Sequence, residues 1–366
     1  MKAAAPRALR SVHLLAPDGL HDPARPSGGN TYDRRLGSAL AAAGWAVHER
    51  QVPGTWPRPD RTARRHLAQV LAQVPDGAVV LLDGLVASAV PDVLGPEADR
   101  LRLVVLVHLP LGHAAPGDQR PARQVVADRA RECVALGCAR AVVTSSAWTR
   151  ADLLAAYPLP PARVHVAEPG VDAAAVAPGT AEGSHLLCVA AVTPVKGHDD
   201  LLTALGLLTD LPWRLTCLGS LDRAPAYTAG VRRRAADLGD RVTFEGTRTG
   251  PDLDRAYAAA DLVVLASRAE TYGMVITEAL ARGLPVLATA VGGTTEALGH
   301  GAAGVGPGRL VPAGDPAALA AALRAWLVDG DLRARWRSAA LACRDSLPDW
   351  AGTAARVAAV LEGVAA

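Results

Sequence analysis

The stretch LLCVAAVTPVKGHDD, residues 186–200, passes from a wholly apolar run through a Pro/Gly turn into the start of a helical pattern. A short Val/Leu run with no polar face suits a strand of a parallel sheet covered by helices on both sides. The turn after such a strand lies where open α/β sheets take ligands, and here it carries Lys196. The alternation extends in both directions. Upstream, strands are expected at Val12–Ala16, Ala46–Gln51, Ala78–Leu82, Leu103–Val107, Ala141–Thr144 and Arg163–Ala167. Helical patterns lie between them at Asp33–Ala43, Arg64–Val74, Arg123–Leu136 and Arg150–Ala156. From Leu186–Ala191 onward, strands are expected at Arg214–Leu218, Val242–Phe244, Leu262–Leu265 and Val286–Ala288, followed by an almost wholly helical stretch from Asp315 to Ala366. A small-residue segment from Pro169-Gly170-Val171-Asp172 to Gly183 separates the two series near residue 175. The pattern predicts an α/β chain of two Rossmann-like, doubly wound domains facing a central cleft.

Composition narrows the function classes. The chain has 366 residues, half of them hydrophobic and 20% charged, enough for two cores and too apolar for disorder. Its 38 basic and 36 acidic residues leave a net charge of +2, which argues against a nucleic-acid partner. The five cysteines, at 133, 138, 188, 217 and 343, include no CxxC pair and read as buried thiols of a reducing compartment. The apolar stretch Val12–Ala16 is interrupted by His13 and closed by Pro17, so it reads as a strand rather than a signal-peptide core. No run approaches the length of a membrane span, and the expected location is the cytoplasm. The only lysines are Lys2 and Lys196, and arginine serves everywhere else. A lone interior lysine at a strand–helix junction therefore points to a ligand rather than to a solvated surface charge.

Three further segments carry candidate chemistry. Pro26-Ser27-Gly28-Gly29-Asn30 follows the first strand, where glycines admit a close ligand and the next helix favours an anion. An ordinary βα turn would look the same. Glu270-Thr271-Tyr272-Gly273-Met274-Val275-Ile276-Thr277-Glu278 places two carboxylates across a glycine that opens a helix. Amides around Met274, Val275 and Ile276 would face an incoming phosphate, and both acids can border one groove. Gly292-Gly293-Thr294-Thr295-Glu296 repeats the glycine-then-helix design, and His108 ends an apolar strand on the side of the same crevice.

Taken together these residues resemble the family 4 retaining glycosyltransferases of the GT-B fold, over nearly the whole chain. The resemblance also rests on Val143-Thr144-Ser145-Ser146-Ala147-Trp148-Thr149, Glu168-Pro169-Gly170-Val171-Asp172, Leu218-Gly219-Ser220, Ala260-Asp261-Leu262-Val263-Val264-Leu265-Ala266-Ser267 and Gly283-Leu284-Pro285-Val286. It implies an acceptor-side domain over 1–175, a nucleotide-sugar domain over 183–345, and a helix over 346–366 packing back on the first domain. It implies transfer of a hexose from a UDP- or GDP-sugar to an acceptor hydroxyl with retention, and no cofactor or metal. Lys196 matches the lysine that holds the diphosphate, Glu270 the acid that contacts the sugar, and Glu278 the acid that binds the ribose. Gly28 and Gly29, with Gly273 and the Met274–Ile276 amides, complete the expected donor site. His108 resembles the histidine beside the transferred sugar, and Asn30 and Tyr32 join it as expected acceptor contacts.

One position departs from the family. An arginine usually stands five places before the lysine, where this chain has Ala191, and Arg248 and Arg268 are the candidates to replace it. The departure keeps open an inactive relative that binds nucleotide sugar or a partner enzyme. A nicotinamide-dependent oxidoreductase is disfavoured because no GxGxxG follows a strand. Asp252-Leu253-Asp254 has metal-binding spacing but reads as the acidic first turn of a helix. Arg61/Arg64/Arg65 and Arg232/Arg233/Arg234 read as solvated helix faces rather than peripheral membrane contacts.

Overall fold

The computed structural model describes residues 10–114, 118, 120–299 and 306–365. The first series of strands is β1 (Ser11–Pro17), β2 (Ala46–Val52), β3 (Val79–Asp83), β4 (Arg102–Val107), β5 (Ala141–Thr144) and β6 (Val164–Val166). They form one parallel sheet in the order β2-β1-β3-β4-β5-β6. Its connections carry α1 (Gly28–Ala42), α2 (Arg61–Ala72), α3 (Gly84–Ala87), α4 (Pro91–Leu94), α5 (Ala122–Cys138) and α6 (Ala147–Ala156). The second sheet, also parallel, has the order β12-β11-β10-β7-β8-β9. Its strands are β7 (His185–Val189), β8 (Arg214–Leu218), β9 (Val242–Gly246), β10 (Leu262–Leu265), β11 (Val286–Thr289) and β12 (Gly308–Val311). Around it lie α7 (His198–Gly206), α8 (Pro225–Ala236), α9 (Pro251–Ala258), α10 (Met274–Ala281), α11 (Thr294–Leu298), α12 (Pro316–Val328) and α13 (Gly330–Cys343), and α14 (Trp350–Ala365) follows.

Two local differences from the sequence reading have simple causes. The first helix begins at Gly28 rather than near Asp33, because the Ser27 hydroxyl accepts the Asn30 amide at 3.1 Å and caps a turn that already contains both glycines. Strand β12 escaped prediction: GRLV is too short to show a period, and it is held only as an edge partner of β11.

Each sheet buries its Val/Leu runs. Leu186, Leu187, Leu262, Val263, Val264, Val286 and Leu287 anchor the second core. The first sheet has a core on each face, and on one of them Val12, Leu14, Tyr32, Leu81 and Val143 pack with Trp350, Ala354, Val357 and Leu361 of α14. The last helix therefore crosses back from the second unit to the first. At about 1.5–3 kcal/mol for each large apolar side chain taken out of water, this contact is a substantial part of the first domain's stability.

The two units also meet near α6. The Glu296 carboxylate accepts the Ala147 and Trp148 amides, each at 2.7 Å, so an anion of α11 sits on the positive end of α6. Beside it the Ser146 hydroxyl donates to the Thr271 carbonyl at 2.6 Å. All five cysteines are free thiols.

Candidate active site

Strand β7 is the point where the second sheet reverses order, with β10 on one side and β8 on the other. The carboxyl ends of these strands deliver the site, as the geometry of open α/β sheets requires. After β7, Thr193–Gly197 forms a tight turn in which Gly197 takes φ 62°; a Cβ there would lie 2.0 Å from the Ala266 carbonyl oxygen. Two bonds lace this turn to the loop after β10: the Arg268 amide donates to the Val195 carbonyl at 2.7 Å, and the Arg268 guanidinium donates to the Pro194 carbonyl at 2.9 Å. The result brings Lys196 Nζ within 2.5 Å of Glu270 Oε1, which also accepts the Ser267 hydroxyl at 2.8 Å. Both of these bonds fall on Oε1, so Oε2 remains for a ligand.

Glu270 is fixed from the other side by the glycines after β11. The Gly293 amide donates to the Glu270 carbonyl at 3.1 Å. Gly273, at φ 97°, then starts α10. The Ile276 amide donates to the Gly273 carbonyl at 2.8 Å, so it is not a ligand donor as expected, and the Met274 and Val275 amides are those left at the helix entrance. Glu278 lies one turn further in, where the Tyr257 hydroxyl donates to its Oε2 at 2.9 Å. Burial raises its carboxyl above the usual range, against the pull of Tyr257 and Arg282.

The first domain faces this edge with the start of α1. A Cβ on Gly28 would stand 3.7 Å from Met274 Sδ, and one on Gly29 would stand 3.2 Å from the His108 ring. Both glycines thus border the cleft, Gly28 against the α10 entrance and Gly29 against the histidine. The Asn30 amide nitrogen and the Tyr32 hydroxyl both have partners within the first domain. The Asn30 side chain donates to the Gly19 and Arg25 carbonyls at 3.3 and 3.4 Å and ties down the β1–α1 loop. Tyr32 is 1% exposed, donates to the Ala167 carbonyl at 2.7 Å, and packs edge-on against His108 and Trp350.

His108 has two partners that the sequence did not reveal. Its Nε2 lies 2.7 Å from Asp33 Oδ1 and 3.9 Å from Asp83 Oδ2, and both aspartates are buried. Asp83 closes a five-residue apolar strand, and an acid at that position was the one available signal. The strand-end segment after His108 is fastened by buried Glu132, which accepts the Leu111 and Gly112 amides at 2.9 and 2.8 Å and the Tyr157 hydroxyl at 2.6 Å. Asp33, Asp83 and His108 offer donor atoms within 4.8 Å of one another, the one such trio among the described residues. The His108–Asp33 separation is that of a hydrogen bond.

Burial and the neighbouring Asp33 push the Asp83 carboxyl from 3.8 up to about 7. Burial disfavours charge on His108, but Asp33 outweighs it and holds the imidazole above its usual 6.5. A carboxyl raised in the folded state stabilises the protein fully below its unfolded value, and that contribution is lost as pH rises through the folded one. Asp83→Asn, neutral at every pH, should therefore gain stability relative to wild type as pH rises from about 4 to about 7. Urea midpoints across that window test it, and parallel curves for the two proteins would refute it.

Neither arginine expected to replace the residue missing at 191 is available. Arg268 pairs with Asp199 and Asp200 at 2.8 and 2.9 Å beneath the Lys196 turn. Arg248 lines a separate hollow with His185, Arg214 and α9, beside Glu245. Asp252 and Asp254 stand in the first turn of α9 and pair with Arg255 and Arg282.

Residues 183–329 match the family described as glycosyl transferases group 1. This segment is similar to group 1 glycosyltransferase domains. It holds Lys196, Glu270, Gly273, Met274 and Glu278. Among curated proteins, D-inositol 3-phosphate glycosyltransferase 1 of Catenulispora acidiphila is 36% identical over 220 residues, covering 55% of this chain and 52% of the relative. The D-inositol 3-phosphate glycosyltransferase of Kineococcus radiotolerans is 35% identical over 239 residues, covering 58% and 54%. The chain thus spans about half the length of the curated relatives it matches. Among solved structures, a sucrose-phosphate synthase from Thermosynechococcus elongatus superposes with TM-score 0.78 at 22% identity, over 97% of this chain and 99% of that one. Anabaena HepE in complex with UDP and glucose gives 0.74 at 19% identity, over 96% and 99%. The matched segment and the unit before it together have the GT-B fold. Among the described residues no helix is long and apolar enough to cross a membrane.

Proposed function

We propose that the protein is a retaining glycosyltransferase that moves a hexose from a nucleoside-diphosphate sugar to an acceptor hydroxyl in the cytoplasm, without a metal. The observation that carries this reading is the Lys196–Glu270 pair, 2.5 Å apart beside the α10 entrance and opposite Gly28. A diphosphate placed between Lys196 and the Met274 and Val275 amides would meet one full positive charge and two backbone donors. The free oxygen of Glu270 then meets the sugar hydroxyls, and the second oxygen of Glu278 meets the ribose.

In the reaction the bond from C1 to the β-phosphate oxygen breaks as the acceptor oxygen bonds to C1 on the same face. The acceptor proton passes to the departing phosphate oxygen. Lys196 and the helix amides stabilise the charge gathering on that phosphate, and the first domain positions the acceptor near His108. The names of the curated relatives make D-inositol 3-phosphate the first acceptor to assay. Titrating UDP, GDP and ADP by calorimetry, with and without EDTA, should show one diphosphate bound indifferently to EDTA. Donor and acceptor together should then yield a product of retained configuration. No binding of any diphosphate would refute the reading.

A further inference from the structure

We propose that Arg223 supplies the second positive charge of the donor site, taking over from the loop after β8 the part left empty by Ala191. The inference rests on the nucleoside-diphosphate reading above. Arg223 follows β8, the strand beside β7 in the sheet, and leaves it at the carboxyl edge that also carries Lys196. Its guanidinium crosses the cleft and donates to the Pro26 carbonyl at 3.0 Å, immediately before Ser27, Gly28 and Gly29. The same glycine turn lies against Met274 at the α10 entrance. Arg223 therefore reaches the same glycine turn that meets the α10 entrance, from the sheet edge that carries Lys196.

Arg223 also differs from the other arginines at this edge. Arg268 is committed to two aspartates and a carbonyl. Arg223 is exposed, and its one described hydrogen bond is to a neutral backbone oxygen. A guanidinium held by a carbonyl keeps its full charge and four of its five donors for an anion. Bidentate pairing with a phosphate is the stronger bond, so an arriving diphosphate would take the guanidinium while the glycine turn stays beside it.

Position 191 provides an internal control. Gly219, at the end of β8, sits so close that a Cβ on it would lie 2.7 Å from the Ala191 amide nitrogen. The start of the loop that bears Arg223 therefore runs beside position 191.

The test is calorimetric titration of UDP and uridine into wild type, Arg223→Gln, Arg223→Lys and the double variant Ala191→Arg/Arg223→Gln. Arg223→Gln should weaken UDP by about 10- to 100-fold and leave uridine binding unchanged. Arg223→Lys should recover part of the loss, and Ala191→Arg should recover most of it in the double variant. An unchanged melting temperature for Arg223→Gln confirms folding, as an exposed side chain predicts. UDP bound equally by wild type and Arg223→Gln would overturn the assignment. So would an equal loss for UDP and uridine, which would make the residue a domain latch rather than a phosphate ligand. If wild type itself bound no diphosphate, it would be the donor reading that failed.

Discussion

Lys196→Ala should lower kcat by about 100- to 1,000-fold while the protein stays folded, since removing one preorganised donor to developing charge costs that much in other enzymes. The ammonium is held at the site by Glu270 before any substrate arrives, so it needs no reorganisation when the phosphate leaves. Its attraction grows as the C1–oxygen bond breaks, which places the loss mainly in kcat rather than in KM. With Nζ removed, Ser267 alone remains on Oε1 of Glu270, and the carboxylate is free to swing from the position that meets the sugar. Steady-state kinetics with saturating donor, together with a thermal melt, check both halves of the expectation. A variant turning over at the wild-type rate would remove Lys196, and with it the proposed donor geometry, from consideration.

The second large effect comes from a residue that touches no substrate. Gly292 has φ 53°, and a Cβ built on it would lie 1.6 Å from the Glu270 carbonyl oxygen. Gly292→Ala must therefore push the Glu270 peptide away while holding a left-handed backbone that an L side chain resists. A displacement of about 1 Å at a positioning group costs roughly 100-fold in rate. Overpacking adds a stability loss of about 1–3 kcal/mol. Gly314→Ala separates the two contributions. That glycine has a similar φ of 68° but open space around its Cβ position. It should lose a little stability and no activity. Equal kinetics for the two variants would refute the steric account.

The doubly wound halves were legible because the central strands are Val/Leu runs, and three strands, β5, β8 and β10, coincide with their expected bounds. Edge strand β12 was not, because four residues beside glycines carry no period. Lys196 stood out for its rarity and its place at a strand end. Glu270 and Glu278 stood out for their spacing about Gly273. What sequence spacing could not show was the use of each polar atom after folding. The Ile276 amide looked free and is consumed by Gly273. Tyr32 looked poised at the cleft and is core. Arg268 looked able to replace a missing cation and is bound to Asp199 and Asp200. Asp33 and Asp83, from a helix and a strand far apart in the chain, meet only because β1, β3 and β4 are neighbours in the sheet. Such pairings are set by topology, and a local pattern contains no trace of them.

The return of α14 to the first sheet has a consequence for how the molecule is made. Val12 and Leu14 are synthesised long before α14, yet the apolar face to which they contribute is closed by Trp350, Val357 and Leu361. On the ribosome, the second unit has all of its strands and flanking helices before the first has its last wall. A nascent chain thus carries an unfinished first unit until α14 has emerged, in contrast to domains that complete in the order they emerge. The half that looks first in sequence is the last to become whole.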